Sequence, residues 1–230
     1  MSDRRSPEFP LLFLHAAARY LALRRVMQRE GSTPATMYCA TAAAPALPDD
    51  FLSTLLQAAG LADPEADTLT PRARTWLAQP LPLQLDTLRQ AWWHTVAWDS
   101  QALPSLRFPP WLSARWSAVI TIVCSWLTTL PTPTWTPTAQ LHTHLQRQQL
   151  HTPPGYGQNL PYLRRSAAEH VTTLADLLLL IIFPALGLGE ARRQAASWYA
   201  RPTPEGKRWL TVALERRQTY ATVAQELTVC

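Results

Sequence analysis

The sequence predicts a mainly α-helical protein with small β-hairpins, built as two similar units joined by a central apolar helix. Three observations lead there. Two stretches repeat one pattern: AAGLAD then TLTPRARTWL over Ala58–Leu77, and ALGLGE then ARPTPEGKRWL over Ala185–Leu210. Apolar residues recur at helical spacing through most of the remaining chain. The run over 112–130 is apolar around most of its circumference, as in a helix enclosed by others.

Each copy of the repeat has the same physical logic. Gly60 and Gly187 are placed to adopt positive φ and stop a helix. Leu61 and Leu188 then return the chain to apolar surroundings. Polar gaps follow, Asp63–Asp67 and Arg192–Ser197, which read as hairpin tips. Thr70 and Thr203 suit an N-cap, and Pro71 and Pro204 the first helical position. Trp76–Leu77 and Trp209–Leu210 bring each new helix back to its core. Each unit therefore reads as helix, hairpin, helix.

This order, with its GL and TP-x-x-x-x-WL elements, resembles the winged-helix (helix-turn-helix) proteins. It is similar to the helicase-associated winged-helix repeats, over roughly 50–95 and 135–215. The resemblance implies two degenerate winged-helix-like units. The first spans 9–95 with a trailing helix, 96–135 holds a linker and the central apolar helix, and the second spans 136–230 with a C-terminal helix.

Taken in order, residues 9–29 read as a helix with Leu11, Leu14, Ala18, Leu21 and Ala22 on one face, and 31–48 as proline-broken turns. Asp49 or Asp50 caps a helix through Phe51, Leu52, Leu55 and Leu56, the recognition-helix position of the first unit. Residues 81–103 form a helix with Leu85, Leu88, Trp92 and Val96 inward, and 104–111 a proline-rich linker. Within 112–130, Trp116, Ile120, Val123 and Leu127 keep helical spacing. PTPTWTPT at 131–138 is a rigid connector to a helix through Leu141 and Leu145. The loop HTPPGYGQNLPY follows, and Arg164 and Arg165 open the next helix. LADLLLLIIFPALGLG occupies the recognition position of the second unit and offers no donor to a base edge between Leu177 and Phe183. The last helix runs from Glu205 to about Leu227, with Trp209, Ala213, Tyr220, Val223 and Leu227 inward.

Apolar residues make up 47% of the chain, enough for a core, while charged residues are only 16%, against an average of about 25%. Ten Trp and 21 Pro are unusual, and surplus Trp surface points to burial against a partner. The net charge is +5 and Lys207 is the only lysine, so arginine carries the positive charge. Cys39, Cys124 and Cys230 have no metal-ligand or redox spacing, which suits free thiols in a reducing cytoplasm. The N-terminal apolar run is too short for a secretory signal.

No G-x-S-x-G elbow, Gly-rich phosphate loop or H-E-x-x-H pair is present. His142 and His144, two apart on a helix, point to different sides, and Asp63, Glu65 and Asp67 suit a hydrated tip. The expectation is a non-enzyme without cofactor, metal or small-molecule substrate. The first functional reading is a cytoplasmic accessory subunit of a nucleic-acid-handling complex, DNA before RNA. Sequence-tolerant phosphate contacts would come from Arg72, Arg74, Arg164, Arg165, Arg192, Arg193, Lys207 and Arg208, with Arg192 and Arg193 on a wing. The alternatives are a protein–protein or self-association scaffold, favoured by low charge, and a membrane-associated protein using 116–130 and 174–189 as short apolar helices.

Overall fold

Both copies of the repeat fold into the same helix-stop joint. The structure, a computed structural model, describes residues 3–4, 17, 50–63, 70–102, 108–148 and 161–228, with backbone alone for 3–4, 161–166 and 220–228. The chain divides into two compact units, Pro7–Pro109 and Pro110–Cys230 with Met1–Ser6.

The joint is a left-handed glycine locked by a threonine. Gly60 and Gly187 have φ of 67° and 65°. The Leu61 and Leu188 amides each reach back to the carbonyls of Leu56 and Phe183 at 2.8 Å, and the glycine amides to Gln57 and Pro184. This double return satisfies carbonyls that a helix end otherwise leaves bare. Thr70 Oγ1 donates to the Gly60 carbonyl at 2.7 Å and accepts from the Ala73 amide at 3.1 Å. Thr203 Oγ1 donates to the Gly187 carbonyl at 2.8 Å and accepts from the Gly206 amide at 2.9 Å. One hydroxyl thus caps the new helix and ties it to the end of the old one.

In the N-terminal unit the joint links α1 (Phe51–Ala58) to α2 (Pro71–Leu77). Phe51, Leu52, Leu55 and Leu56 are buried. Asp50 stands at the helix start, but its side chain makes no capping bond. Trp76 Nε1 donates to the Gln84 carbonyl and Gln84 Nε2 donates to the Trp76 carbonyl, both at 3.0 Å, pinning α2 to α3 (Leu81–His94). The helix expected to run to 103 stops at His94, and a 3₁₀ turn at Val96–Trp98 follows. There Trp93 meets Trp98 edge to face at 4.7 Å. Leu88, Trp92 and Val96 are buried as expected, whereas Leu85 is half-buried and Gln84 takes an inward place. Ala62 makes a single β-bridge, and no ladder occurs among the described residues of this repeat. Most of the expected hairpin tip, 64–67, lies outside the described residues. So do 31–48 and all of 9–29 except Ala17, which is helical and buried.

The C-terminal unit is helical around a small antiparallel sheet. After a short α4 (Pro110–Ser113), α5 (Trp116–Thr129) buries Trp116, Val119, Ile120, Val123, Cys124 and Leu127. Burial pushes the Cys124 thiol far above its usual range. The connector ends in a two-residue strand, β2 (Thr136–Pro137), which the sequence reading missed, and leads into α6 (Thr138–Arg147) with Leu141 and Leu145 buried. Then α7 runs from Pro161 to Leu177 and continues through a π-helical turn, Leu178–Ile182, to Ala185. Pro184 has no amide to donate and crowds the carbonyl four residues back, which the wider turn accommodates. The loop expected before α7 lies outside the described residues up to 160.

The hairpin of β3 (Gly189–Gln194) and β4 (Ser197–Pro202) follows the second joint. Its tip is only Ala195–Ala196, shorter than the polar gap expected, because Arg192, Arg193 and Gln194 are paired within the ladder. Ala195 takes φ of 52°, a left-handed value at the first loop position. The sheet order is β1-β3-β4-β2, where β1 (Asp3–Arg4) edges β3 and β2 edges β4, every pair antiparallel. Ala191 and Ala200 point into the core.

The last helix, α8 (Pro204–Thr228), packs on α5. Its inward residues are Gly206, Leu210, Ala213 and Leu214, while Trp209 is half-buried. The side chains of Tyr220, Val223 and Leu227 lie outside the described residues.

Among the described residues one helix, Ala167–Ala185, is long and apolar enough by length and composition to cross a membrane, and 61% of that window is buried inside the protein. Here it serves as the core helix of its unit. At 14 residues, α5 is shorter than a span of about 20.

Two substitutions should move stability in opposite directions. A Cβ at Gly206 would land on the Leu188 carbonyl, so Gly206→Ala should cost about 1–3 kcal/mol by urea denaturation. Ala195→Gly relieves left-handed backbone and should stabilise by up to about 1 kcal/mol. A neutral Gly206→Ala would show that the close approach is not maintained in solution.

Candidate nucleic-acid interface

The alternation of β3 and β4 makes two unlike sheet faces. Small residues, Ala191 and Ala200, face the core, and their neighbours Glu190, Arg192, Tyr199 and Arg201 project to the opposite side. Trp135, one residue before β2, lies against this outer face. The Arg192 and Arg201 guanidinium carbons each sit 4.5 Å from the Trp135 ring centroid. Arg192 also lies 5.7 Å from the Tyr199 ring.

The two arginines are in different electrostatic states. Arg201 donates from Nε at 2.9 Å and from Nη2 at 2.6 Å to Glu190 Oε2, which compensates its charge. Arg192 is half-buried, and its Nε is shielded from solvent with no hydrogen-bond partner among the described residues. The stack therefore fixes the Arg192 plane without neutralising it.

The eight sequence-predicted residues separate into distinct settings. Arg192 and Arg193 lie on β3 rather than at the hairpin tip; Arg193 is exposed. Lys207 is half-buried, and its Nζ donates to the Leu130 carbonyl at 2.8 Å, just beyond α5. A cation at a helix C-terminal end is favourable there, and this one joins α8 to α5. Arg208, Arg72 and Arg74 are exposed. The Arg72 side chain runs beside Gly60, whose Cβ would meet its Nη1 at 3.6 Å. Arg164 and Arg165 lie in the first turns of α7, and their side chains are outside the described residues.

Sequence reasoning missed Trp135, Tyr199, Arg201 and Glu190. The signal was present: Glu-Ala-Arg at 190–192 and Tyr-Ala-Arg at 199–201 alternate with period two around a small residue. The polar gap at 192–197 drew attention to a loop instead.

Elsewhere, His142 Nε2 lies 2.9 Å from Asp176 Oδ1, a half-buried pair joining α6 to α7. His144 is exposed, and no group of three metal-binding side chains occurs among the described residues.

No protein-family model, curated protein or solved structure matches this chain.

Replacing Lys207 by Met should lower stability by about 1 kcal/mol, since it strips the Leu130 carbonyl of its partner. A thermal melt checks this, and an unchanged melting temperature would show that the contact adds nothing to stability.

Proposed function

We propose that the protein is a non-enzymatic accessory subunit of a nucleic-acid-handling complex, and that its C-terminal unit is winged-helix-like and contacts phosphates without reading bases. The observation that carries this reading is the order of elements. Three helices, α5, α6 and α7, are followed by the β3–β4 hairpin, the order that the winged-helix resemblance implies. The short β2, between the first two helices, pairs with β4 and ties that segment to the hairpin. In this reading α7 holds the recognition position. Its Leu177–Leu180 and Ile182–Phe183 are buried, so it has nothing to offer a base edge. Contact then falls to arginines on the hairpin and at the start of α8: Arg192, Arg193 and Arg208. A net charge of +5 supports attraction to a polyanion.

The support is confined to the C-terminal unit. Its hydroxyl lock spans 16 residues, from Gly187 to Thr203, and encloses a full hairpin. The lock of the N-terminal unit spans only 10, from Gly60 to Thr70. We infer that the N-terminal unit shares the joint and serves the assembly by other means.

A second reading, a protein-interaction scaffold, is favoured by one observation. Leu77, Leu81 and Leu83 are 37%, 45% and 55% exposed within seven residues at the α2–α3 junction. Replacing all three with Ser should raise the solubility of the isolated protein, read by sedimentation, without lowering its melting temperature. No change would remove this reading.

Fluorescence anisotropy with a labelled DNA should detect micromolar, sequence-tolerant binding. With about three phosphate contacts, affinity should fall roughly 40-fold between 50 and 200 mM salt. Affinity that does not respond to salt would sink the reading.

A further inference from the structure

We propose that Arg192 is a braced phosphate-binding arginine, and that the outer face of the hairpin, not its tip, grips a phosphodiester backbone. This rests on the nucleic-acid reading above and assigns its contact. Three observations converge on Arg192.

First, its orientation is fixed before any ligand arrives. Trp135 at 4.5 Å and Tyr199 at 5.7 Å hold the guanidinium, and its Nε is out of solvent. A surface arginine must give up rotamer freedom to form a two-pronged bond with a phosphate, whereas a stacked one has already done so.

Second, its charge is uncompensated among the described residues. Trp135 carries two arginines at the same distance, and Glu190 neutralises only Arg201. No carboxylate pairs with Arg192 among the described residues. The ring stabilises both guanidinium groups, but only Arg201 also has a carboxylate, which leaves Arg192 open to an anion. An anion arriving from solvent accounts for the asymmetry.

Third, the strand register concentrates charge in the same row. β1 places Asp3 opposite Arg193 and Arg4 opposite Arg192. Unlike charges therefore share one row, and like charges share the next. Like-charged cross-strand partners are unfavourable unless something of opposite sign lies between them. A phosphate held by Arg192 supplies that sign.

The full-length protein is titrated with a labelled single-stranded DNA and with a duplex of equal length. Arg192→Lys keeps the charge but loses the planar fork and the stack, and should weaken binding about tenfold. Arg216→Lys, a change on an exposed side chain of α8 outside the proposed contact, should stay within about twofold. Trp135→Leu removes no charge and should still weaken binding about fivefold, with circular dichroism confirming a folded protein. In parallel, the Arg192 Nε–H resonance of the unsubstituted protein is followed while inorganic pyrophosphate is added. It should shift saturably, and this arm does not depend on any variant folding.

Arg192→Lys binding within twofold of the parent, or an unmoved Nε–H resonance, overturns the braced site even where DNA binds. A shifting resonance with no DNA binding upholds the anion site and instead removes the nucleic-acid reading, with free phosphate compounds as the ligands.

Discussion

Between Leu188 and Gly206 two backbones approach so closely that no side chain fits. The Thr203 hydroxyl spans the join, donating to Gly187 and accepting from Gly206. Most of the C-terminal unit's geometry follows from that approach. The end of α7 and the start of α8 are held together, so the chain between them must return to the point it left, and here it does so as a tight hairpin. Because β3 starts at Gly189, its first residue lies against Leu127 and the Arg201 carbonyl, and the small-residue face turns inward. The outer face, with its arginines, is fixed by default.

The same lock recurs in the N-terminal unit around a shorter segment. Thr70 bonds Gly60 as Thr203 bonds Gly187, and both following helices begin with Pro and bury or half-bury a Trp. What the repeat conserves is a way to stop one helix and start another. What it encloses is free to differ, because the lock constrains its two ends and not the length between them. In the N-terminal unit the new helix is then fixed by Trp76 and Gln84; in the C-terminal unit, by Lys207 and the Leu130 carbonyl. Two different second fasteners serve one joint.

How much of this was legible depended on whether the signal was local. The glycine stops, the threonine caps and the burial of Trp116, Ile120, Val123 and Leu127 follow from spacing and backbone chemistry alone, so the sequence was enough. The end of α3 at His94 was not, because the apolar spacing continues into Val96 although the backbone leaves the helix. Neither was β2: Thr136–Pro137 is a strand only because β4 lies beside it. The outer-face cluster failed for the same reason. Trp135 and Arg192 are 57 positions apart, and no pattern within one segment joins them.

The arginine pairs teach a related point. A doublet such as Arg192–Arg193 reads as a single basic feature, yet a strand sends its two members to opposite faces. One meets aromatic rings and stays half-buried, and the other stays in solvent. Lys207–Arg208 divides similarly on a helix, where a step of one residue turns about 100°. Lys207 closes a helix end and Arg208 faces water. Counting basic residues therefore overstates the surface available to a polyanion and hides its best-organised member. The affinity of such a surface depends less on how many arginines it holds than on how many are already oriented and still uncompensated. On the described outer face that condition selects Arg192, because Arg201, its neighbour on the same tryptophan, has Glu190.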